Sequence, residues 1–187
     1  MEKLLRSVGL VNLLEKIDTE YAVTMCQAGC SRCKGKLHRT DYPRKPRGFA
    51  EHWTKRFSFC CAREGCRKRY TPSSVRFLGR RVYVGVIVVL VSALAQGVNA
   101  GRVQIVRREL GMDAHTLRRW RQWWLENFVQ SSFWKSWKSR FRRPVAEDRL
   151  PLSLVEQGGA QRKAGLVKLM QALSPISMGQ LEGGGGY

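Results

Sequence analysis

Cys30-Ser31-Arg32-Cys33 and Cys61-Ala62-Arg63-Glu64-Gly65-Cys66 are separated by 27 residues in a stretch crowded with arginine and lysine. Closely spaced thiols in a reducing compartment are kept for a metal, and four thiolates meet the tetrahedral preference of zinc. The spacing predicts a zinc ribbon in which Cys30, Cys33, Cys61 and Cys66 hold one structural Zn2+. Cys26 and Cys60 are spares: the interval from Cys61 to Cys66 is already wider than the common two intervening residues, which Gly65 can accommodate, and Cys60 would widen it further. His38 and His52 are substitute ligands, although a lone histidine on a basic strand is more often a surface or phosphate-contacting group. A thioredoxin-like redox pair at Cys30 and Cys33 would need a strand-helix-strand setting and leaves the second cysteine pair without a role.

The flanking residues suit such a ribbon. Gly35 permits a tight turn after Cys33, and Leu37 to Tyr42 can run on as a strand. Pro43, Pro46 and Gly48 mark a loop. Trp53 to Phe59 forms a second strand with Trp53, Phe57 and Phe59 on one face, and Arg67 to Pro72 a third. So small a sheet buries little apolar area, so its stability leans on the metal, which can contribute roughly 10 kcal/mol or more to folding.

The formal charge of +20 in 187 residues is concentrated rather than spread. Residues 30 to 81 carry 16 basic and 3 acidic side chains, residues 102 to 143 carry 11 and 3, and the remaining segments are close to neutral. Two basic modules point to a polyanionic partner, because excess lysine and arginine is a poor route to solubility and invites nucleic-acid binding. Glu2, Lys3, Arg6 and Glu15 interrupt any apolar run that an export signal would need, so a cytoplasmic, nucleoid-associated location is expected. Residues 2 to 20 read as a helix with Leu4, Leu5, Val8, Val11 and Leu14 on one face, a cap over residues 1 to 26. Val82 to Val98 has no charge, but its length, Gln96, Asn99 and its small residues favour a buried core helix over a membrane span.

From Arg102 the pattern fits two helices about a glycine turn. Val103, Val106 and Leu110 would be buried on the first, Gly111 supplies the left-handed turn, Asp113 caps the second, and Leu117, Trp120 and Trp124 line its inner stripe. His115, Thr116, Arg118, Arg119 and Gln122 remain outside, where they can reach phosphates or base edges in the major groove. Arg107 departs from the small residue usual at its position. Phe133, Trp137 and Phe141 recur every four residues, which favours a packed helix face over stacking on unpaired bases. Pro144 and Pro151 punctuate a linker, Arg162 to Leu173 forms a short helix with Leu166, Leu169, Met170 and Leu173 on one side, and Gly183 to Gly186 should be disordered.

Three phrases carry a resemblance: Cys33 through Gly48, Arg76-Phe77-Leu78-Gly79-Arg80-Arg81-Val82-Tyr83, and Leu117-Arg118-Arg119-Trp120-Arg121-Gln122-Trp123-Trp124. Over about residues 28 to 128 the chain resembles small bacterial mobile-element proteins and the amino-terminal DNA-binding halves of insertion-sequence transposases, which join a zinc ribbon to a helix-turn-helix. The resemblance implies transposon-end binding or transcriptional control. A complete transposase would add three separated carboxylates holding two metal ions, which the 14 acidic residues here do not supply in a suitable context. The expectation is a non-enzymatic accessory or regulatory protein of α+β class, mostly α. Its parts are a capping helix (1–26), a zinc ribbon (27–79), a helical helix-turn-helix domain (80–143) and a linker, short helix and glycine-rich tail (144–187). Double-stranded DNA is the expected partner, together with a separately encoded transposase or recombinase; no membrane is expected, and homo-oligomerisation is left open. Arg39, Arg44, Lys45, Arg47, Arg67, Lys68 and Arg69 are the expected phosphate contacts. Structured RNA stacked on Trp53, Trp134 and Trp137 is the alternative ligand.

Overall fold

The computed structural model describes residues 8–44, 55–78, 83–96, 101, 104, 105, 108, 110–160 and 162–178. The chain is α+β and mostly helical, with a small antiparallel sheet followed by helices. The first helix, α1 (Val8–Ala28), buries Val11 and Leu14 of the expected face but not Val8, which is exposed, and adds Leu10, Ile17, Asp18 and Ala22. Leu4 and Leu5 lie outside the described residues. At 21 residues α1 is about 30 Å long, and it is more than a cap. Its first half enters the large helical core, while Ala22 and Met25 pack into the separate small core of the sheet.

The expected strands Leu37–Tyr42 and Trp53–Phe59 are two arms of one hairpin, interrupted midway. β1 (Leu37–Arg39) pairs with β4 (Phe59–Cys61), and β2 (Tyr42–Pro43) pairs with β3 (Lys55–Arg56), in the same register on both sides of the break. Asp41 causes the interruption, since its carboxylate accepts from Ser58 N at 3.3 Å and from Arg39 Nε at 2.6 Å. β5 (Arg69–Tyr70) completes the sheet on the far edge of β4, so the expected third strand is short. Trp53, Lys45, Arg47 and His52 lie outside the described residues.

α2 (Gly85–Gln96) is the hub of the helical body. Val86, Ile87, Val88, Val89, Leu90 and Val91 are each no more than 1% exposed, because α1, α3, α5 and α6 contribute to the same core around it. A helix apolar on every side is either buried or in lipid; this one is 12 residues long, and no helix among the described residues is long and apolar enough to cross a membrane. At roughly 1.5–3 kcal/mol for each large side chain removed from water, this run dominates the stability of the body.

The turn and second helix of the expected pair take the predicted form. Gly111 has φ +59, and Asp113 accepts from Thr116 N at 2.7 Å to cap α3 (Ala114–Gln122). Residues 101, 104, 105 and 108 are helical, whereas Val103, Val106 and Arg107 lie outside the described residues. After Gln122 the helix widens into a π-helical turn at Trp123–Phe128 instead of continuing as α. The wider turn brings Trp123, Trp124 and Phe128 into one buried cluster, with centroids 4.7 to 5.6 Å apart. In α4 (Ser132–Lys138), Phe133, Trp137 and Phe141 pack on one another and against the core, and Trp134 is fully buried.

The stretch read as a linker is structured. It contains a 3-10 turn at Glu147–Arg149 and α5 (Leu152–Gln157), and buries Leu150, Leu154 and Val155. Three apolar side chains at helical spacing find room on α2, which outweighs the two prolines as breakers. α6 (Lys163–Leu173) folds back with Leu166, Leu169, Met170 and Leu173 buried. Gly183 to Gly186 lie outside the described residues.

Sheet and helices meet at a buried ion pair. Asp18, with 0% exposure, accepts from Ser74 Oγ at 2.6 Å, Val75 N at 2.7 Å and Arg76 Nε at 2.7 Å. Arg76, itself 1% exposed, also donates to the Lys55 carbonyl at 3.2 Å. Removing one member of such a pair strands a charge out of water. Asp18→Asn should therefore lower stability by about 3–5 kcal/mol, read from urea unfolding.

Candidate metal centre

Two knuckles deliver the four expected cysteines. The first follows α1, whose end is marked by Gly29 at φ +68 and its bond to the Cys26 carbonyl. Cys30 N then donates to the Gly35 carbonyl at 2.9 Å and Lys34 N to the Cys30 carbonyl at 2.8 Å, folding Cys33 back beside Cys30. The second knuckle leaves β4 at Cys61 and turns through Gly65, at φ +79, with Cys66 N donating to the Arg63 carbonyl. This left-handed glycine accommodates the wide spacing of the second pair.

The sulfurs of Cys30, Cys33, Cys61 and Cys66 all lie within 4.8 Å of one another, with Cys33 to Cys61 at 3.4 Å and Cys30 to Cys66 at 3.7 Å. A tetrahedron of sulfurs about 2.3 Å from a central ion has edges of about 3.8 Å. The four cysteines can hold one metal ion. Backbone approaches this cluster so closely that a Cβ on Gly35 would lie 3.3 Å from both Cys33 Sγ and Cys61 Sγ. Gly35 is thus needed for space at the sulfurs, a different reason from the turn expected of it. None of the six cysteines is in a disulfide.

The spare thiols point elsewhere. Cys26 Sγ faces the Leu37 carbonyl at 3.8 Å, and Cys60 Sγ the Arg67 carbonyl at 3.4 Å. His38 is exposed on the face of β1 opposite Leu37, paired with Cys60, and is outside the cluster. One participant escaped the sequence reading: Tyr70, on β5. Its hydroxyl lies 3.1 Å from Cys30 Sγ and accepts from Ser31 N at 3.1 Å, with Ser31 Oγ at 3.0 Å. An aromatic residue at the end of a short strand carries no sequence signal for this role; only the fold places it across the knuckle.

The electrostatics differ among the sulfurs. The hydrogen bond from Tyr70 brings the Cys30 thiol down to about 6, while burial pushes Cys61 up to about 12. Metal binding needs thiolates and so displaces protons. At neutral pH Cys30 is mostly thiolate and has little proton to displace, whereas Cys61 keeps its proton until a metal displaces it.

The expected nucleic-acid contacts fall into three groups. Arg67, Lys68, Arg69, His115, Arg118 and Arg119 are exposed, with the Lys68 ammonium over the Tyr70 ring. Arg39, Arg44, Thr116 and Gln122 have partners within the chain, Arg39 and Gln122 while remaining exposed: Arg39 pairs with Asp41 and lies over Phe57, Arg44 lies over Phe77, the Thr116 hydroxyl bonds Asp113, and Gln122 bonds Glu126. Lys45 and Arg47 are outside the described residues.

Elemental analysis should find one metal ion per chain, retained in Cys60→Ser and lost in Cys61→Ser. Affinity for that ion, measured by competition with a chelator, should fall as pH falls and fall more steeply below about pH 6, where Cys30 also becomes protonated. Tyr70→Phe should lower the affinity by about tenfold at neutral pH and move the steepening upward, since the thiolate loses the donor that stabilises it. No protein-family model, curated protein or solved structure matches the chain, so the reading of this centre rests on its own geometry.

Proposed function

We propose that the chain is a zinc-dependent protein that binds double-stranded DNA in the service of a mobile element, recognising or regulating its ends without a catalytic core of its own. Zinc is the metal because four thiolates at tetrahedral spacing, closed around a single position, form a structural site of the kind it favours. The observation that carries DNA binding is the way the fold divides its charges. Asp18, Asp41, Asp113, Glu126, Glu147 and Glu156 are each bonded to other groups of the chain. Arg118, Arg119 and Arg121 stand exposed on α3 and make no ion pair among the described residues. Arg67, Lys68 and Arg69 are likewise exposed on the ribbon. The excess positive charge is therefore offered outward on two faces.

The two faces have different tasks. Ribbon cations contact phosphates, which position the duplex without reading it, and α3 presents His115, Arg118 and Arg119 to base edges in the major groove. The capped amino end of α3 and its buried Trp120 hold that helix rigidly against the body. Two of the three rings needed for RNA stacking are otherwise employed: Trp134 is buried with its indole N–H on Glu147 at 2.8 Å, and Trp137 packs between Phe133 and Phe141, while Trp53 lies outside the described residues. The cytoplasm, beside the nucleoid, is the fitting location, and a separately encoded transposase or recombinase the fitting protein partner.

Fluorescence anisotropy on duplex DNA at several salt concentrations tests this reading. Affinity should fall steeply with salt. Arg119→Ala should relax sequence preference at a loss of about 1–3 kcal/mol on the preferred site, while Arg69→Ala weakens all sequences alike. Equal losses on every sequence for both variants would rule out a reading helix.

A further inference from the structure

We propose that Lys34 and Arg67 are a paired phosphate clamp, one on each metal knuckle, that grips the phosphodiester backbone of duplex DNA; this rests on the DNA-binding reading above. Both knuckles end alike. The second cysteine of each pair is followed by a residue in the left-handed region, Lys34 at φ +57 after Cys33 and Arg67 at φ +43 after Cys66. They are the only non-glycine residues with positive φ among the described residues. The knuckle imposes the conformation, since Lys34 N must return to the Cys30 carbonyl and Arg67 N to the Arg63 carbonyl if both sulfurs of a pair are to face one ion.

Glycine adopts this conformation without strain, whereas a residue with a Cβ does so at a cost. A strained backbone that persists in a fold is a pointer to function. Here the strained residue is a long cation both times, although glycine would relieve each turn. Glycines elsewhere in the knuckles have other tasks, Gly35 clearing the sulfurs and Gly65 opening the second turn. What the strain secures is position: the two residues are exposed, and each directly follows a cysteine of a cluster whose sulfurs all lie within 4.8 Å of one another. Two cations rooted in backbones that are fixed relative to each other meet a polyphosphate with less ordering left to do, and arginine adds the planar fork that matches phosphate oxygens. Exposed Arg32, Lys36, Arg63 and Lys68 surround them, with Glu64 the one acid on either knuckle.

The test reads stability and binding together. Lys34→Gly and Arg67→Gly, each first shown to keep one metal ion per chain, should melt at a higher temperature than the parent chain and yet bind a mixed-sequence DNA duplex more weakly. The loss should be the same on all sequences and should reduce the slope of log affinity against log salt by about one for each variant. Lys34→Asn and Arg67→Asn, neutral side chains that tolerate the left-handed region, should reproduce the binding loss if glycine loosens a knuckle. Lys168→Ala, which removes an exposed cation on α6, should leave the slope unchanged. Unchanged affinity and slope in both glycine variants would overturn the clamp while leaving DNA binding intact, as would a loss seen on an RNA hairpin but not on the duplex. A parent chain without salt-dependent duplex binding would overturn the functional reading and the clamp with it.

Discussion

The carboxylate of Asp18 holds together two bodies that otherwise have separate cores. Leu10 to Ile17 of α1 belong to the large helical core, Ala22 and Met25 to the small core of the sheet, and Asp18 lies between them. The segment it captures, Ser74 to Arg76, is where the chain leaves the ribbon and heads for the hub helix. Burying a carboxylate is tolerable only when its lone pairs are filled, and here a hydroxyl, an amide and a guanidinium fill them. Arg56 beside it is less well provided for. It donates to the Pro72 carbonyl and to Ser177 Oγ, with Nη1 left without a hydrogen bond, and burial lowers its pKa. Arg44, Arg56 and Arg76 all lie over the Phe77 ring, so cation–π attraction supplements the missing hydrogen bond.

The ribbon is the dependent partner in this arrangement. Among the described residues its core amounts to Ala22, Cys30, Leu37, Phe57, Phe59 and Cys61, with a few half-buried neighbours that include Cys33 and Cys66. So little buried surface cannot offset the entropy of ordering a hairpin and two knuckles, and an ion held by the four cysteines would close the gap. The helical body has its own supply, with α2 enclosed on all sides and a chain of aromatic rings running from Trp123 through Phe128 and Trp134 to Phe141. Four cysteine sulfurs within 4.8 Å of one another set where the two knuckles stand, and Asp18 ties the ribbon to the helical body.

Local signals were strong for the cysteine cluster, for Gly111 and Asp113, and for the apolar face of α6, because each depends on residues near in sequence with narrow conformational preferences. The break in the hairpin was foreseeable only in outline, since Asp41 interrupts it through a bond to Ser58 on the opposite arm. Asp18 did leave a trace, a charge recurring at the four-residue spacing of Leu10 and Leu14 on the buried face of α1. The partner it needed, Arg76, is 58 residues away and nothing local announces it.

By itself, then, the order of residues determined the chemistry: four thiols at knuckle spacing, cations gathered in two modules, a capped helix after a glycine turn, and a mostly helical α+β chain. Tertiary structure alone decided which groups serve the fold and which face outward. It gave Arg39 and Gln122 acidic partners at the surface, laid Arg44 over Phe77, turned Trp134 inward, made a packed helix of an apparent linker, and set Tyr70 against Cys30. The reason is that spacing governs the contacts a residue makes within a turn or two, whereas burial and charge pairing depend on what distant segments bring to the same place.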